Sequence, residues 1–502
     1  MSGSGWWNVA KGTWKVSSAA GSAIQGATSG ASNNRLSRGA RRGILGPWDP
    51  APPPRALHAG LWDYRGVARP NDIAQAPVDF PLGHYREPRR WTAKHEIGLP
   101  EVVANEHTVV FGPTRSGKTA SIVAPWIHRA LWLGYSVVAV DVKGRDDLLG
   151  EIKRYSAYRG SLGVPVIKWD YTDPARSGSW NWIADLHSDS ELNAAVEAIC
   201  GRPSPSDPNK FFHQSAIKYL RGLLQLAPTF SAHPTLVDIL GLLHNQASLE
   251  TLVNSRRGTP GAQRLTELLG LSPGDFMKYT MELKTHLEVL DTTGFAAVTD
   301  RPQFSFDMLR GSQPVLLVVT APVADGSLAE AASSLFLGQF LQRALSGFGT
   351  IGRPTLLALD EAARLQNRID LGATLSLVAG AGVSVLLAAQ DASQFDEDKR
   401  EEILANCGTM ICLPRVSRAT TDYVAGRLGD MHFASLSNST SHDRRNGQTQ
   451  SWTQSGERAP VLGHREIASP HPALGDWPGV VHAPSLASRP ILVDLARSDL
   501  VS

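Results

Sequence analysis

The residue types best suited to chemistry lie in His107-Thr-Val-Val-Phe-Gly112-Pro113-Thr114-Arg115-Ser116-Gly117-Lys118-Thr119, a short apolar run breaking into a glycine-framed loop. The spacing Gly112-x4-Gly117-Lys118-Thr119 suits phosphate. Small residues let successive backbone N–H groups turn inward, Lys118 reaches the β/γ-phosphates, and Thr119 offers its hydroxyl to Mg²⁺. All eight residues from Gly112 to Thr119 are therefore expected to bind nucleotide phosphates. A second candidate is Thr355-Leu-Leu-Ala-Leu-Asp360-Glu361, an apolar run closed by two carboxylates. In a nucleotide hydrolase Asp360 enters the Mg²⁺ shell, and Glu361 orients or deprotonates the attacking water. By itself such a pair is as often an acidic helix cap. The third is Gln390, closing Gly382-Val-Ser-Val-Leu-Leu-Ala-Ala, where an amide at a strand end can bond the γ-phosphate or the water. The expected catalytic set is Lys118, Asp360, Glu361 and Gln390, with Thr119 and Asp360 on the metal.

These residues require parallel strands that end at one edge. Val109 and Val110 before the loop, Tyr135-Ser-Val-Val-Ala-Val-Asp141-Val-Lys143-Gly144, Val164-Pro-Val-Ile-Lys-Trp-Asp170 and Pro314-Val-Leu-Leu-Val-Val-Thr320 all read as buried strands. Alternation with helices indicates an α/β doubly wound sheet. Between about Trp180 and Gln303 the period becomes helical, as in Phe212, Ala216, Leu220 and Leu224. The expected organisation is a Gly/Ser/Pro-rich disordered arm over 1–56, strands and the first part of the nucleotide-binding domain over 57–180, an all-α insert over 181–303, and the second part over 304–502. Residues 435–458, dominated by Ser, Thr, Asn, Gln and Arg, read as a mobile loop.

The chain has 502 residues and a net charge of +2, but residues 1–100 carry 13 Lys/Arg against 6 Asp/Glu while the remainder carries 36 against 41. The arm is thus basic, with Arg35, Arg38, Arg41 and Arg42 clustered. Together with Arg444 and Arg445 beside Trp452, they are candidate contacts for nucleic-acid phosphates and unpaired bases. No base-reading motif accompanies them, so non-sequence-specific DNA binding is expected. Cys200, Cys407 and Cys412 have no metal-binding spacing. No apolar run reaches the ~18 residues of a membrane helix, so a soluble, cytoplasmic protein is expected, docked at the inner membrane through partners.

From about residue 80 onward the chain resembles the type IV secretion coupling proteins, the TraG/TraD-like ATPases of bacterial conjugation. The resemblance is carried by Gly112-Pro-Thr-Arg-Ser-Gly-Lys-Thr, Asp141-Val-Lys143-Gly144, Phe211-Phe212, Leu359-Asp360-Glu361, Gln390 before Ser393-Gln394, Ala405-Asn406-Cys407-Gly408-Thr409, and Pro460-Val-Leu with Glu466-Ile467. It implies a RecA-like P-loop NTPase domain with a mostly parallel sheet and an inserted all-α domain. It also implies ATP and Mg²⁺ at the boundaries of a hexameric ring, and delivery of a relaxase–DNA complex or effector proteins to a type IV secretion channel. Two departures stand out. Many members begin with transmembrane helices, and members often carry a basic residue where this chain has Val378-Ala-Gly-Ala-Gly382. Arg364, Arg368, Arg415 and Arg418 are the alternative cations. Two other functions fit the motifs: an FtsK- or HerA-type duplex-DNA translocase, and a nucleotide-gated adaptor that recruits protein without motor activity.

Overall fold

The computed structural model describes residues 64, 66–75, 77–86, 95–144, 146–201, 210–347, 352–366, 370–443 and 447–495. Arg35, Arg38, Arg41, Arg42, Arg444 and Arg445 lie outside them. Pro52–Met431 and Ala459–Ser502 form one compact unit; His432–Arg458 belongs to another.

The strands of the first unit are β1 (Phe80–Tyr85), β2 (His95–Leu99), β3 (Thr108–Phe111), β4 (Ser136–Asp141), β5 (Val166–Asp170), β6 (Leu316–Thr320), β7 (Thr355–Asp360), β8 (Val383–Ala389) and β9 (Thr409–Cys412). β10 (Asp430–Asp443) and β11 (Gly447–Pro460) form a separate two-stranded sheet, and β12 (Pro478–His482) and β13 (Ile491–Asp494) return to the large one. Its order is β2-β1-β13-β12-β9-β3-β8-β7-β4-β6-β5. The run from β9 to β5 is parallel throughout. From β9 to β2 every pairing is antiparallel. The mostly parallel α/β sheet is as expected, and Ile491–Asp494 lies between β1 and β12.

The parallel core strands are apolar along their whole length because both faces are covered; β3, β4, β6, β7, β8 and β9 are buried at every residue. Register then fixes where they stop. Phe111 pairs with Ala389, Asp360 with Ala388 and Val140 with Leu359. The segments that follow β3, β4, β7 and β8 therefore emerge along one carboxyl edge, the edge at which open α/β sheets bind ligands.

Between β5 and β6 the described residues form helices and no named strand, the long ones being Lys210–Phe230 and Pro273–Glu288. Ser188, Thr235, Asn245, Thr259, Ser272 and Thr292 each accept a backbone N–H at a helix start. This insert is not separately cored. Phe295 of the insert packs edge-on against Trp169 of β5, which stacks on Phe336 of the Ser327–Ser346 helix at 5.4 Å. The large aromatic side chains bridge what composition divides at 181 and 303.

Where a loop was expected over 435–458, the described backbone is strand in β10 and β11. A two-stranded ladder pairs backbone groups, which a polar composition does not report.

Candidate functional site

The loop after β3 has the backbone its sequence requires. Gly117 has φ +90°, a conformation natural to glycine, and Arg115 adopts φ +61° beside it. A Cβ at Gly112 would lie 2.6 Å from Ser116 Oγ and 3.1 Å from Leu413 Cβ, so any larger residue there crowds the loop. Thr119–Val123 continues as a widened π turn before the Ala124–Trp132 helix. Ala124 N–H donates five residues back to Thr119, and Pro125, which has no N–H, follows immediately. Lys118 is buried, its Nζ donating to the carbonyls of Gly112 and Pro113. Burial lowers its pKa, while Glu361 and Asp360 oppose the shift.

Asp360, at the end of β7, is 1% exposed. Its Oδ2 accepts from Lys143 Nζ at 2.7 Å, while Oδ1 is buried with no hydrogen-bond partner. Desolvation alone would lower Lys143; the Asp360 charge and hydrogen bond outweigh it and hold the ammonium's pKa raised. Asp141, at the end of β4, arranges this contact. Its Oδ1 accepts from the N–H groups of Lys143 at 2.9 Å and Gly144 at 3.1 Å, and its Oδ2 from Leu148 N–H at 3.1 Å. Burial nevertheless raises the Asp141 pKa.

Glu361 follows in a left-handed conformation, φ +72° and ψ +50°, unusual for a side chain of this size. Its Oε1 accepts from Gln390 Nε2 at 2.8 Å, and Gln390 Oε1 accepts from Thr114 Oγ1 at 3.1 Å. One amide thus joins the glycine loop to the carboxylate after β7. Gln394 Oε1 steadies it by accepting from Gln390 N–H at 2.9 Å. A cavity of about 800 Å³ is lined by every residue from Pro113 to Ala120 and by Lys143, Glu361, Arg364 and Gln390. Buried orphan atoms (Asp360 Oδ1 and Ser116 Oγ), strained backbone and convergent charge together mark a ligand site.

All four expected catalytic residues meet here, and Thr119 lines the cavity. Lys143 is the participant that the sequence left without a role. Its partner Asp360 is 217 positions away, so only the Asp-x-Lys-Gly string after β4 signalled it. Among the alternative arginines, Arg364 lines the cavity of its own chain. Arg415 sits in a left-handed turn with its N–H donating to Ala468 O, and Arg418 pairs with Asp422 at 3.5 Å. Arg368 is outside the described residues. The Asn406-Cys-Gly-Thr segment is architectural: Gly408 and Thr409 donate to Glu106 O and His107 O, seating β9 beside β3.

No curated protein matches the sequence closely enough to count. In solved structures the fold is similar to the bacterial conjugative coupling protein TrwBΔN70 in its unbound form (TM-score 0.58, 19% identity, 86% of this chain and 96% of that one). It is similar as well to TrwB in complex with ADP and Mg²⁺ (TM-score 0.58, 18% identity, 85% and 96%) and with a non-hydrolysable GTP analogue (0.57, 18%, 85% and 96%). The likeness establishes a RecA-like P-loop NTPase fold. Residues 85–469 match the family described as type IV secretory system conjugative DNA transfer. On that match, which spans most of the sequence and all the residues assembled at the carboxyl edge, the chain belongs to the type IV secretory system conjugative DNA transfer family.

Proposed function

We propose that this chain is an ATP-hydrolysing coupling protein, a motor that delivers DNA bound to a relaxase, or effector proteins, to a type IV secretion channel. The observation that carries the reading is the convergence of Lys118, Lys143, Asp360, Glu361 and Gln390 on a cavity walled by the glycine loop. In this reading the loop amides and Lys118 hold the β/γ-phosphates. Glu361 takes a proton from the attacking water, and Gln390, anchored to Thr114, orients that water. The donor set fits Mg²⁺, since Asp360 Oδ1 is a buried oxygen without a hydrogen-bond partner and Thr119, a hydroxyl residue, lines the cavity. Bound there, Mg²⁺ would neutralise charge on the phosphates. Lys143 holds the other Asp360 oxygen in place, and Arg364 lies where it can meet a phosphate or a neighbouring subunit.

A nucleotide site at the carboxyl edge of the sheet suits a ring in which the next subunit completes it, so a hexamer with concentration-dependent turnover belongs to the proposal. Among the described residues no helix is long and apolar enough to cross a membrane; attachment at the inner membrane is assigned to partners.

The test is ATP turnover by the full chain with and without single- and double-stranded DNA, with Lys118→Ala as the blank. Turnover raised by DNA is the expected result. Turnover raised only by a protein partner would favour the adaptor, and turnover equal to that of Lys118→Ala would overturn the motor.

A further inference from the structure

Away from the nucleotide cavity, in the helical insert, two helices bring a carboxylate and two imidazoles together. His213 comes from Lys210–Phe230, and Glu282 and His286 from Pro273–Glu288. One ligand atom from each lies within 4.8 Å of the other two. A Glu–His pair four residues apart is ordinary on a helix surface. The arrival of His213, largely buried, from a second helix is not.

The hydrogen bonds make the arrangement specific. His213 Nε2 lies 3.3 Å from Gly201 O, and a carbonyl only accepts, so Nε2 carries the proton. In the neutral ring Nδ1 is then a lone pair, and it faces Glu282 Oε1 at 3.3 Å. His286 Nε2 stands 3.8 Å from the same oxygen. Two lone-pair atoms, His213 Nδ1 and Glu282 Oε1, thus face each other, an arrangement that a cation bound between them makes favourable. The separations are longer than the 2.7–2.9 Å of a charge-assisted hydrogen bond. The 3.3 Å pair matches a shared ion, since with metal–ligand bonds of about 2.0–2.1 Å the ligand atoms on a tetrahedron are about 3.3–3.4 Å apart; His286, at 3.8 Å, would draw in on binding. The two rings meet edge to face, 5.6 Å between centroids at 89°. A ligating histidine whose other nitrogen donates to a backbone carbonyl is the usual supporting arrangement.

We propose that His213, Glu282 and His286 form a zinc site that clamps the Lys210–Phe230 helix to the Pro273–Glu288 helix. Two imidazoles and one carboxylate select a borderline cation such as Zn²⁺ over Mg²⁺, so this site and the nucleotide's metal do not compete. Three protein ligands leave a fourth position. Glu282 and His286 also line a cavity of about 590 Å³ with Met277 and Met281, roomy enough for water or a donor from a bound partner. The site thereby ties the stiffness of the insert to zinc supply.

The full-length chain, stripped with chelator, is titrated with Zn²⁺ against a chromophoric zinc indicator, with Mg²⁺ in millimolar excess. One equivalent should bind, raising the melting temperature. Cobalt in its place should give the visible absorption of a four-coordinate ion. Glu282→Gln and His286→Gln, near-isosteric and partly exposed, should each weaken zinc binding by about tenfold or more and abolish the thermal shift. The more buried His213→Ala serves as a third variant, with far-ultraviolet circular dichroism and nucleotide binding as checks on folding. Absence of stoichiometric binding to the wild type would overturn the site, with an imidazolium–carboxylate cluster taking its place. Equal affinity in wild type and both Gln variants would overturn it too, because the ion would then be held elsewhere.

Discussion

Two of the buried charge clusters among the described residues are built to opposite specifications. Arg343, on the Ser327–Ser346 helix, donates to Glu191 at 2.6 and 3.0 Å, to Asp307 at 2.9 Å, and to the backbone and side chain of Asp185 at 2.5 and 3.3 Å. Asp185 also accepts from Trp180 Nε1, and Glu191 from His187 N–H. Burial works against the guanidinium, but the hydrogen bonds and charges of these carboxylates hold its pKa raised. At the carboxyl edge, by contrast, Asp360 keeps an oxygen without a partner, Glu361 and Arg115 sit in left-handed backbone, and Lys118 is desolvated against its own loop. The first cluster completes itself and ties the insert to the Ser327–Ser346 helix. The second leaves valences and strain that a ligand relieves.

The contrast breaks most visibly in unfolding. Arg343→Met strands buried carboxylates and should cost about 3–5 kcal/mol in denaturant titrations. Glu361→Gln should change stability by less than about 1 kcal/mol, because the site was not selected for stability. Comparable losses in both would erase the distinction. On turnover the order reverses: Glu361→Gln should lower kcat by roughly 10²-fold or more while nucleotide affinity holds, since Glu361 acts on water. Wild-type hydrolysis by that variant would reassign the base. Gln390→Ala removes a hydrogen bond to a charged group and should cost about tenfold in kcat; no change would mean that the Thr114–Gln390–Glu361 bridge is merely structural.

The smallest effect concerns His107. Its Nε2 contacts Leu375 O at 2.9 Å, and its Nδ1 accepts from Val385 N–H at 3.0 Å, so the neutral ring is the one that fits. Burial lowers its pKa below the ordinary 6.5. The unfolded chain therefore protonates first, and the stability contributed by His107 is full above 6.5 and falls as pH drops below it. The stability gap between wild type and His107→Gln should narrow from pH 7.5 to 5.5; a constant gap would remove His107 from the account.

The phosphate loop and the carboxyl-edge residues were legible because each is a short string with its own spacing, and continuous apolar strands announce a parallel sheet. What depended on distant pairing was not. Lys143 acquires meaning only beside Asp360, and Arg343 reads as one more polar residue in an Ala/Leu-rich helix until Glu191 and Asp185 fold against it. The change of period near residue 181 marks where the helical segment begins, but it could not show that Trp169 and Phe295 pack against each other across that point. Composition read β10 and β11 as a loop, because a ladder satisfies backbone groups that side-chain polarity does not report.

The central claim is that the carboxyl-edge cluster is left incomplete for a magnesium nucleotide. It is tested most directly by the unfolding free energy of the full chain with and without a non-hydrolysable ATP analogue and Mg²⁺. A gain of about 2.7 kcal/mol at a hundredfold excess over Kd is predicted for the wild type, with Lys118→Ala showing little. Equal stability with and without nucleotide in the wild type would contradict it.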